Sequence, residues 1–248
     1  MTLPAVFLTR AVRGALDVIF PPSCVHCREV VSSDGELRHL CDKCLTQLNF
    51  VQAPHCSTCG HPFYGVVEGE RLCPHCEGLV PAFREGRTAI LMKGPGRTLV
   101  HELKYHAGLH VLHDIEHIFR RCPRVLELSV NATLVPVPLH PRKQRERGYN
   151  QSQLIAEHLA RAVGGDTRVR TLLKRIVDTD SQTHHDRRER QSNLKNAFAP
   201  ASDAALSADL HYVLVDDVFT TGSTLNSCAH TMRRAGAINL DVVTFGHG

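Results

Sequence analysis

Tryptophan is absent from this 248-residue chain, and aromatic residues make up only 5% of it. That composition fits poorly with a surface that grips single strands by stacking bases on aromatic rings. No apolar run is long enough to cross a bilayer, so an integral membrane segment is not expected. Net charge is scarce too: 29 Lys and Arg against 25 Asp and Glu leave +4, too little to identify a partner. Residues 1–20 have Val6, Phe7, Leu16 and Ile19 on one side, but Arg10, Arg13 and Asp17 interrupt them, and no small-residue cleavage site follows. This is an amphipathic helix expected to pack on the protein, with peripheral contact at the inner membrane as the alternative, and it is not an export signal. The expected location is the cytoplasm.

Against these shortages stand ten cysteines. Without an export signal they do not read as a disulfide framework. Eight of them form Cys-x-x-Cys pairs: Cys24/Cys27, Cys41/Cys44, Cys56/Cys59 and Cys73/Cys76. Thirteen residues separate the first pair from the second, and thirteen again separate the third from the fourth. Each Cys-x-x-Cys turn points two thiolates at one ion, and two such turns close a tetrahedral four-cysteine site. The repeat predicts two consecutive zinc ribbons over residues 21–81, each holding one structural Zn2+. Interleaved pairing, with the first pair sharing its metal with the third, fits the sequence as well. With four thiolates per ion, His26, His55, His61 and His75 are expected to be solvated neighbours rather than ligands. So small a segment has little core of its own, and metal binding would supply its folding energy.

Residues 82–248 carry a different pattern. Arg87 to Met92 reads as a strand ended by Gly94-Pro-Gly96, with helices expected at Arg97–Tyr105 and Leu109–Arg121. Thr133 to Pro138 reads as a short strand whose prolines suit an edge or a special turn. It leads into a basic loop with Arg142, Lys143, Arg145 and Arg147, and then into a helix over Gln151–Val163. A polar stretch around residues 178–195 has few apolar residues and reads as a lid or binding loop. Near the C-terminus the apolar run Val213-Leu-Val215 predicts a buried strand, followed by Asp216 and Asp217 and by the turn Thr220-Thr-Gly-Ser-Thr224. The next helix repeats Leu225, Cys228, Ala229 and Met232 at i, i+3, i+4 and i+7, which places Cys228 in the core. Asp241 to Phe245 supplies a further parallel strand. A hydroxyl- and glycine-rich turn between a strand and a helix offers N–H groups and the positive dipole end to an anion, with two carboxylates alongside.

The segment Val213 to Thr224 resembles the phosphoribosyl pyrophosphate (PRPP) signature of type I phosphoribosyltransferases. The cysteine pairs, Leu103-Lys-Tyr105, Val135-Pro-Val-Pro-Leu-His-Pro141, Arg147-Gly-Tyr-Asn150, Ser181-Gln-Thr183 and Arg190-x-x-Asn-Leu194, taken in that order, resemble the ComF family of competence proteins. The resemblance implies an α/β fold: a type I phosphoribosyltransferase-like open, mainly parallel sheet with flanking helices, preceded by a small double zinc ribbon. It implies that Asp216 and Asp217 hold the ribose hydroxyls of PRPP, with Mg2+ bridging ribose and pyrophosphate oxygens. Thr220, Thr221, Gly222, Ser223 and Thr224 would wrap the 5′-phosphate. Val137, Pro138, Leu139 and His140, with Arg142 nearby, would meet pyrophosphate. Gln182, Arg187, Arg188, Arg190 and Lys195 would belong to a flexible loop closing over the site. Purine-salvage members of the superfamily carry an Asp where this chain has Thr220, so purine salvage is disfavoured. The implied partners are PRPP, single-stranded DNA and other DNA-uptake proteins. Two functions stay open: handling of single-stranded DNA during uptake, and transfer of ribose 5-phosphate to an unidentified acceptor.

Overall fold

The computed structural model describes residues 21–32, 35–65, 71–177, 197–201 and 206–248. The expected N-terminal helix and the five lid residues Gln182, Arg187, Arg188, Arg190 and Lys195 lie outside them.

The strands are β1 (Gly86–Leu91), β2 (Thr133–Pro136), β3 (Arg168–Val169), β4 (Leu173–Arg175), β5 (Phe198–Pro200), β6 (His211–Phe219) and β7 (Asn239–His247). Five of them form a sheet in the order β1-β7-β6-β2-β3, with every neighbouring pair parallel. The helices are α1 (Asp42–Leu45), α2 (Gly94–Tyr105), α3 (Leu112–Arg120), α4 (Pro123–Ser129), α5 (Pro141–Arg147), α6 (Gln151–Val163) and α7 (Ser223–Arg234). β4 and β5 make a separate antiparallel pair that brackets residues 178–196.

The sheet has helices on both faces, so its central strands are apolar on both. In β6 the alternation of side chains sends Val213 and Val215 to one core and Tyr212 and Leu214 to the other. The first core includes Leu103 of α2, Ile115 and Phe119 of α3, Val125 of α4 and Ile155 of α6. The second includes Leu225, Cys228, Ala229 and Met232 of α7, the four positions expected from the periodicity, with Cys228 fully buried.

Several elements differ from expectation. α2 begins at Gly94 rather than Arg97, because Pro95 sits in the first turn, where its missing N–H has no bond to make. The helix expected over Leu109–Arg121 opens as a 3-10 turn, Leu109–Val111, and becomes α-helical only at Leu112. α4 carries no signal the sequence reading used. The basic loop after β2 is in fact a helix: Pro141 opens α5, the His140 ring accepts the Arg142 N–H at 3.4 Å, and Gly148 ends it at φ 84°. With no residue buried, α5 gave no apolar stripe to recognise. β2 lies inside the sheet order, but the two-residue β3 reaches only Thr133 and Leu134, which leaves Pro136 unpaired on that side.

The ribbons straddle β1. Cys24, Cys41 and Cys44 of the first join the core that includes α3 and α6, while Cys56, Cys59, Cys73 and Cys76 join the core beneath α7. Between them, the Val51 N–H donates to the Ala89 carbonyl at 2.9 Å, and the Leu91 N–H donates to the Asn49 carbonyl at 2.9 Å. The ribbon segment thus covers an edge strand that would otherwise expose unpaired backbone groups. Asp114 of α3, fully buried, fastens the first ribbon by accepting the Arg38 and His39 N–H groups at 2.9 and 2.8 Å.

Candidate anion site and metal centres

The sheet order marks a candidate ligand position between the ends of β2 and β6. From β2 the chain leaves through α6 to β3 on one side, and from β6 it leaves through α7 to β7 on the other. Ligands of open α/β sheets bind at the carboxyl ends of strands where the winding diverges in this way. Of the two segments the sequence singled out, Val137–Arg142 follows β2, whereas Asp216–Thr224 comprises the last residues of β6, which runs on through Phe219, and the turn after it. The Val137 N–H donates to the Val215 carbonyl at 2.9 Å, fixing one against the other.

Asp216 accepts from the Ser152 hydroxyl at 2.7 Å and from the Asp217 N–H at 2.9 Å. Asp217 is buried, and Lys104 Nζ lies 2.9 Å from its Oδ2. The ammonium sits off the line a hydrogen bond needs, so the pairing is coulombic. Burial, and then the neighbouring Asp217 charge, push the Asp216 carboxyl up to about 7, against the opposing pull of Ser152 and Lys104. Its side chain is half-buried, so part of its surface still touches solvent.

The turn after β6 leads straight into α7. Gly222 adopts φ 71°, and a Cβ there would stand 2.5 Å from the Phe219 ring and 3.0 Å from Leu79 of the second ribbon. Both constraints demand glycine. α7 has no side-chain cap, and Thr221 Oγ1 and Ser223 Oγ lie 2.9 Å apart beside its first turn. The Ser223 N–H reaches only Thr221 Oγ1, at 3.5 Å, and first-turn N–H groups with hydroxyls around them make this turn a candidate anion cradle. Thr220 is exposed and Thr224 half-buried. After β2, Val137 and Pro138 are buried, Leu139 and His140 half-buried, and Arg142 exposed in an ion pair with Glu146 at 3.0 Å.

Lys104 and Ser152 were not foreseen as site residues. The sequence offered a faint signal for both, since Lys104 sits in the Leu103-Lys-Tyr105 match and Ser152 follows Arg147-Gly-Tyr-Asn150. The second match has a structural reading as well. Tyr149 donates its hydroxyl to the Leu103 carbonyl, and Asn150 caps α6 through the Ser152 N–H at 3.1 Å while donating to the Val137 carbonyl at 2.9 Å. That tetrapeptide ties α2, the loop after β2 and α6 into one frame around Asp216.

The thiols group consecutively: Cys24, Cys27, Cys41 and Cys44 in one cluster, and Cys56, Cys59, Cys73 and Cys76 in the other. Interleaving is thereby excluded. Sulfur–sulfur distances of 3.5 Å (Cys27–Cys41), 3.9 Å (Cys56–Cys76) and 3.3 Å (Cys59–Cys73) bracket the ~3.8 Å edge of a zinc tetrathiolate tetrahedron. All eight are free thiols, which fits structural zinc with every coordination position filled. The histidines depart from expectation. His26 is exposed, but His55, His61 and His75 are half-buried, because the second ribbon packs against the sheet instead of standing in solvent.

Residues 15–77 match the family model described as the double zinc ribbon domain. The DNA utilization protein YhgH of Salmonella typhi is 32% identical over 224 residues, covering 82% of this chain and 94% of its own. The chain belongs to the ComF/YhgH family. Among its ComF relatives, competence protein F of Haemophilus influenzae is 28% identical, over 88% of this chain and 94% of that protein. ComFC of Bacillus subtilis is 23% identical, over 86% and 89%. A solved hypoxanthine phosphoribosyltransferase from Staphylococcus aureus overlaps 54% of this chain and 62% of its own, at 16% identity and a TM-score of 0.34. The parallel sheet, rather than that loose overlap, describes the ComF fold here. No helix among the described residues is long and apolar enough to cross a membrane.

Proposed function

We propose that this ComF-family chain binds PRPP between the ends of β2 and β6 and acts in handling single-stranded DNA during its uptake. Membership beside relatives named competence protein F, ComFC and DNA utilization protein supports the biological role. The observation that carries the ligand assignment is the carboxylate pair Asp216/Asp217, held by Ser152 and Lys104 next to the uncapped start of α7. The α7 turn would take the 5′-phosphate, the carboxylates the ribose hydroxyls, and the segment Val137 to Arg142 the pyrophosphate. Lid residues Gln182, Arg187, Arg188, Arg190 and Lys195 would add positive charge from the segment between β4 and β5. Mg2+ would enter with PRPP, neutralising pyrophosphate charge, and the half-buried Asp216 would be a fitting oxygen donor. The basic residues of α5, with Arg142 and Arg145 exposed and Lys143 and Arg147 half-buried, would track the DNA backbone. Other DNA-uptake proteins are the expected macromolecular partners, in the cytoplasm or at the inner-membrane surface.

Active ribosyl transfer is the second reading. What favours it is a half-buried carboxyl that burial and the Asp217 charge push up to about 7, a property suited to exchanging a proton with an incoming acceptor. Calorimetry with PRPP and Mg2+ tests the shared premise: wild type should bind, and Asp216→Ala and Asp217→Ala should not. No heat from wild type would overturn the assignment. Pyrophosphate release across a panel of bases and amines separates the two readings. For the DNA role, replacing Arg142, Arg145 and Arg147 should weaken single-strand binding and flatten its salt dependence, by about 0.7 in log–log slope per lost phosphate contact. An unchanged slope would make α5 a solvated face only.

A further inference from the structure

Three histidines meet where the second ribbon touches the end of β7. His61 and His75 come from the ribbon, and His247 is the last residue of the strand. Their ring centroids stand 4.7 Å (His61–His75), 4.8 Å (His61–His247) and 4.7 Å (His75–His247) apart, close to an equilateral triangle. Each ring offers one nitrogen, and these three atoms lie within 4.8 Å of one another.

The hydrogen bonding around His247 sets its tautomer. Its Nδ1 lies 2.8 Å from the Gly248 carbonyl oxygen, and a ring nitrogen facing a carbonyl must carry the proton. Nε2 then holds the lone pair. It is buried with no hydrogen-bond partner, in a residue that is only 2% exposed. His61 Nδ1 is likewise buried and unpartnered. Edge-on packing of neutral rings would account for the contacts but not for the orphaned nitrogens, because a buried acceptor left unsatisfied is costly. A backbone carbonyl behind one ring nitrogen, with the other nitrogen aimed at a cluster of imidazoles, is the arrangement that orients a metal-ligating histidine.

We propose that His61, His75 and His247 form a third metal site, separate from the two tetrathiolates, for a divalent transition ion of the zinc class. The donor set selects the ion: three imidazoles with no carboxylate suit zinc, copper, nickel or iron rather than magnesium or calcium. Zn–N bonds of about 2.0–2.1 Å require nitrogen separations of ~3.3 Å, so each ring would draw inward by roughly 1 Å or less. Three nitrogen ligands leave at least one coordination position for water or an anionic oxygen. The site adjoins the anion cradle: the Phe219 ring stacks on His247 at 5.2 Å, and a Cβ on Gly248 would lie 3.5 Å from Thr220 Cγ2. An ion here would bring positive charge next to the turn that opens α7, and would bind the ribbon to the sheet.

The test titrates Co2+ into the untagged full-length chain with both tetrathiolates already filled by zinc, reading visible absorption and metal content. One further equivalent should bind, with weak d–d bands and no thiolate-to-cobalt charge transfer, giving three metals per chain. His247→Gln and His61→Gln should each lose that equivalent and keep two zincs, and the retained zinc reports that the variant is folded. If His247→Gln loses a tetrathiolate zinc as well, His61→Gln carries the comparison. A wild-type content of two, or a third equivalent that survives in both variants, would overturn the site.

Discussion

In the proposed PRPP site, Asp216 is the residue at which stability and binding would oppose each other. Its carboxyl keeps a proton up to about 7 in the folded protein, whereas in the unfolded chain it would release it at about 3.9. Between those values the native state binds more protons, so this residue's contribution to stability falls as pH rises through that window. Asp216→Asn should therefore raise stability at pH 8 by roughly 0.5–2 kcal/mol in urea titrations while abolishing PRPP binding. Wild-type affinity for PRPP with Mg2+ should weaken as pH drops below about 7, and a titration of free PRPP with Mg2+ over the same pH range supplies the baseline for the ligand's own protonation. Lys104 acts in the other direction. Removing its ammonium leaves the buried Asp217 carboxylate without its cation, so Lys104→Met should lower the unfolding free energy by about 1–3 kcal/mol. An unchanged urea midpoint would mean that solvent already screens the pair.

At the level of elements, the ribbons were legible to the residue and α5 was not. Cys-x-x-Cys spacing dictates local geometry, because two thiolates on one turn reach one ion whatever lies around them. Consecutive pairing follows from that local economy, although interleaving also satisfied the sequence. Each tetrathiolate should be separately removable: Cys24→Ser and Cys59→Ser should each cost one cysteine-bound zinc, read by metal content together with thiol accessibility. Loss of both from a single substitution would show the two ribbons folding as one unit. α5 escaped notice because its seven residues bury nothing and its sequence reads as a charge run. The cap by His140 and the stop at Gly148 are visible only once the chain's path is known. α6 and α7 were readable because each buries a stripe at helical spacing.

Across the whole molecule the two ribbons sit on opposite cores and enclose β1, so the metal sites support the sheet. Leu79 of the second ribbon also touches the Gly222 position, which makes it part of the wall of the proposed anion cradle. Stripping zinc with a strong chelator should therefore expose the β1 edge and loosen the cradle together. Light scattering should rise and PRPP binding should fall over the same chelator range. Retained binding in a zinc-free, monomeric protein would show that residues 82–248 fold independently of the ribbons.

Whatever depends on neighbours along the chain was already written in the order of its residues. Thiol pairs of fixed spacing define two metal sites, an apolar run leading into two carboxylates marks β6, and a Thr-Thr-Gly-Ser-Thr turn before an amphipathic stripe marks the start of α7 and the proposed anion cradle. These signals survive without tertiary context because each arises from a short stretch of chain. Whatever depends on distant partners waited for the folded arrangement. Lys104 meets Asp217 across 113 positions, Ser152 meets Asp216 across 64, and His247 meets His61 and His75 across most of the chain. No periodicity or spacing encodes such meetings. They follow from strand order, which brings β2, β6 and β7 side by side and folds the ribbons over the sheet that those strands build.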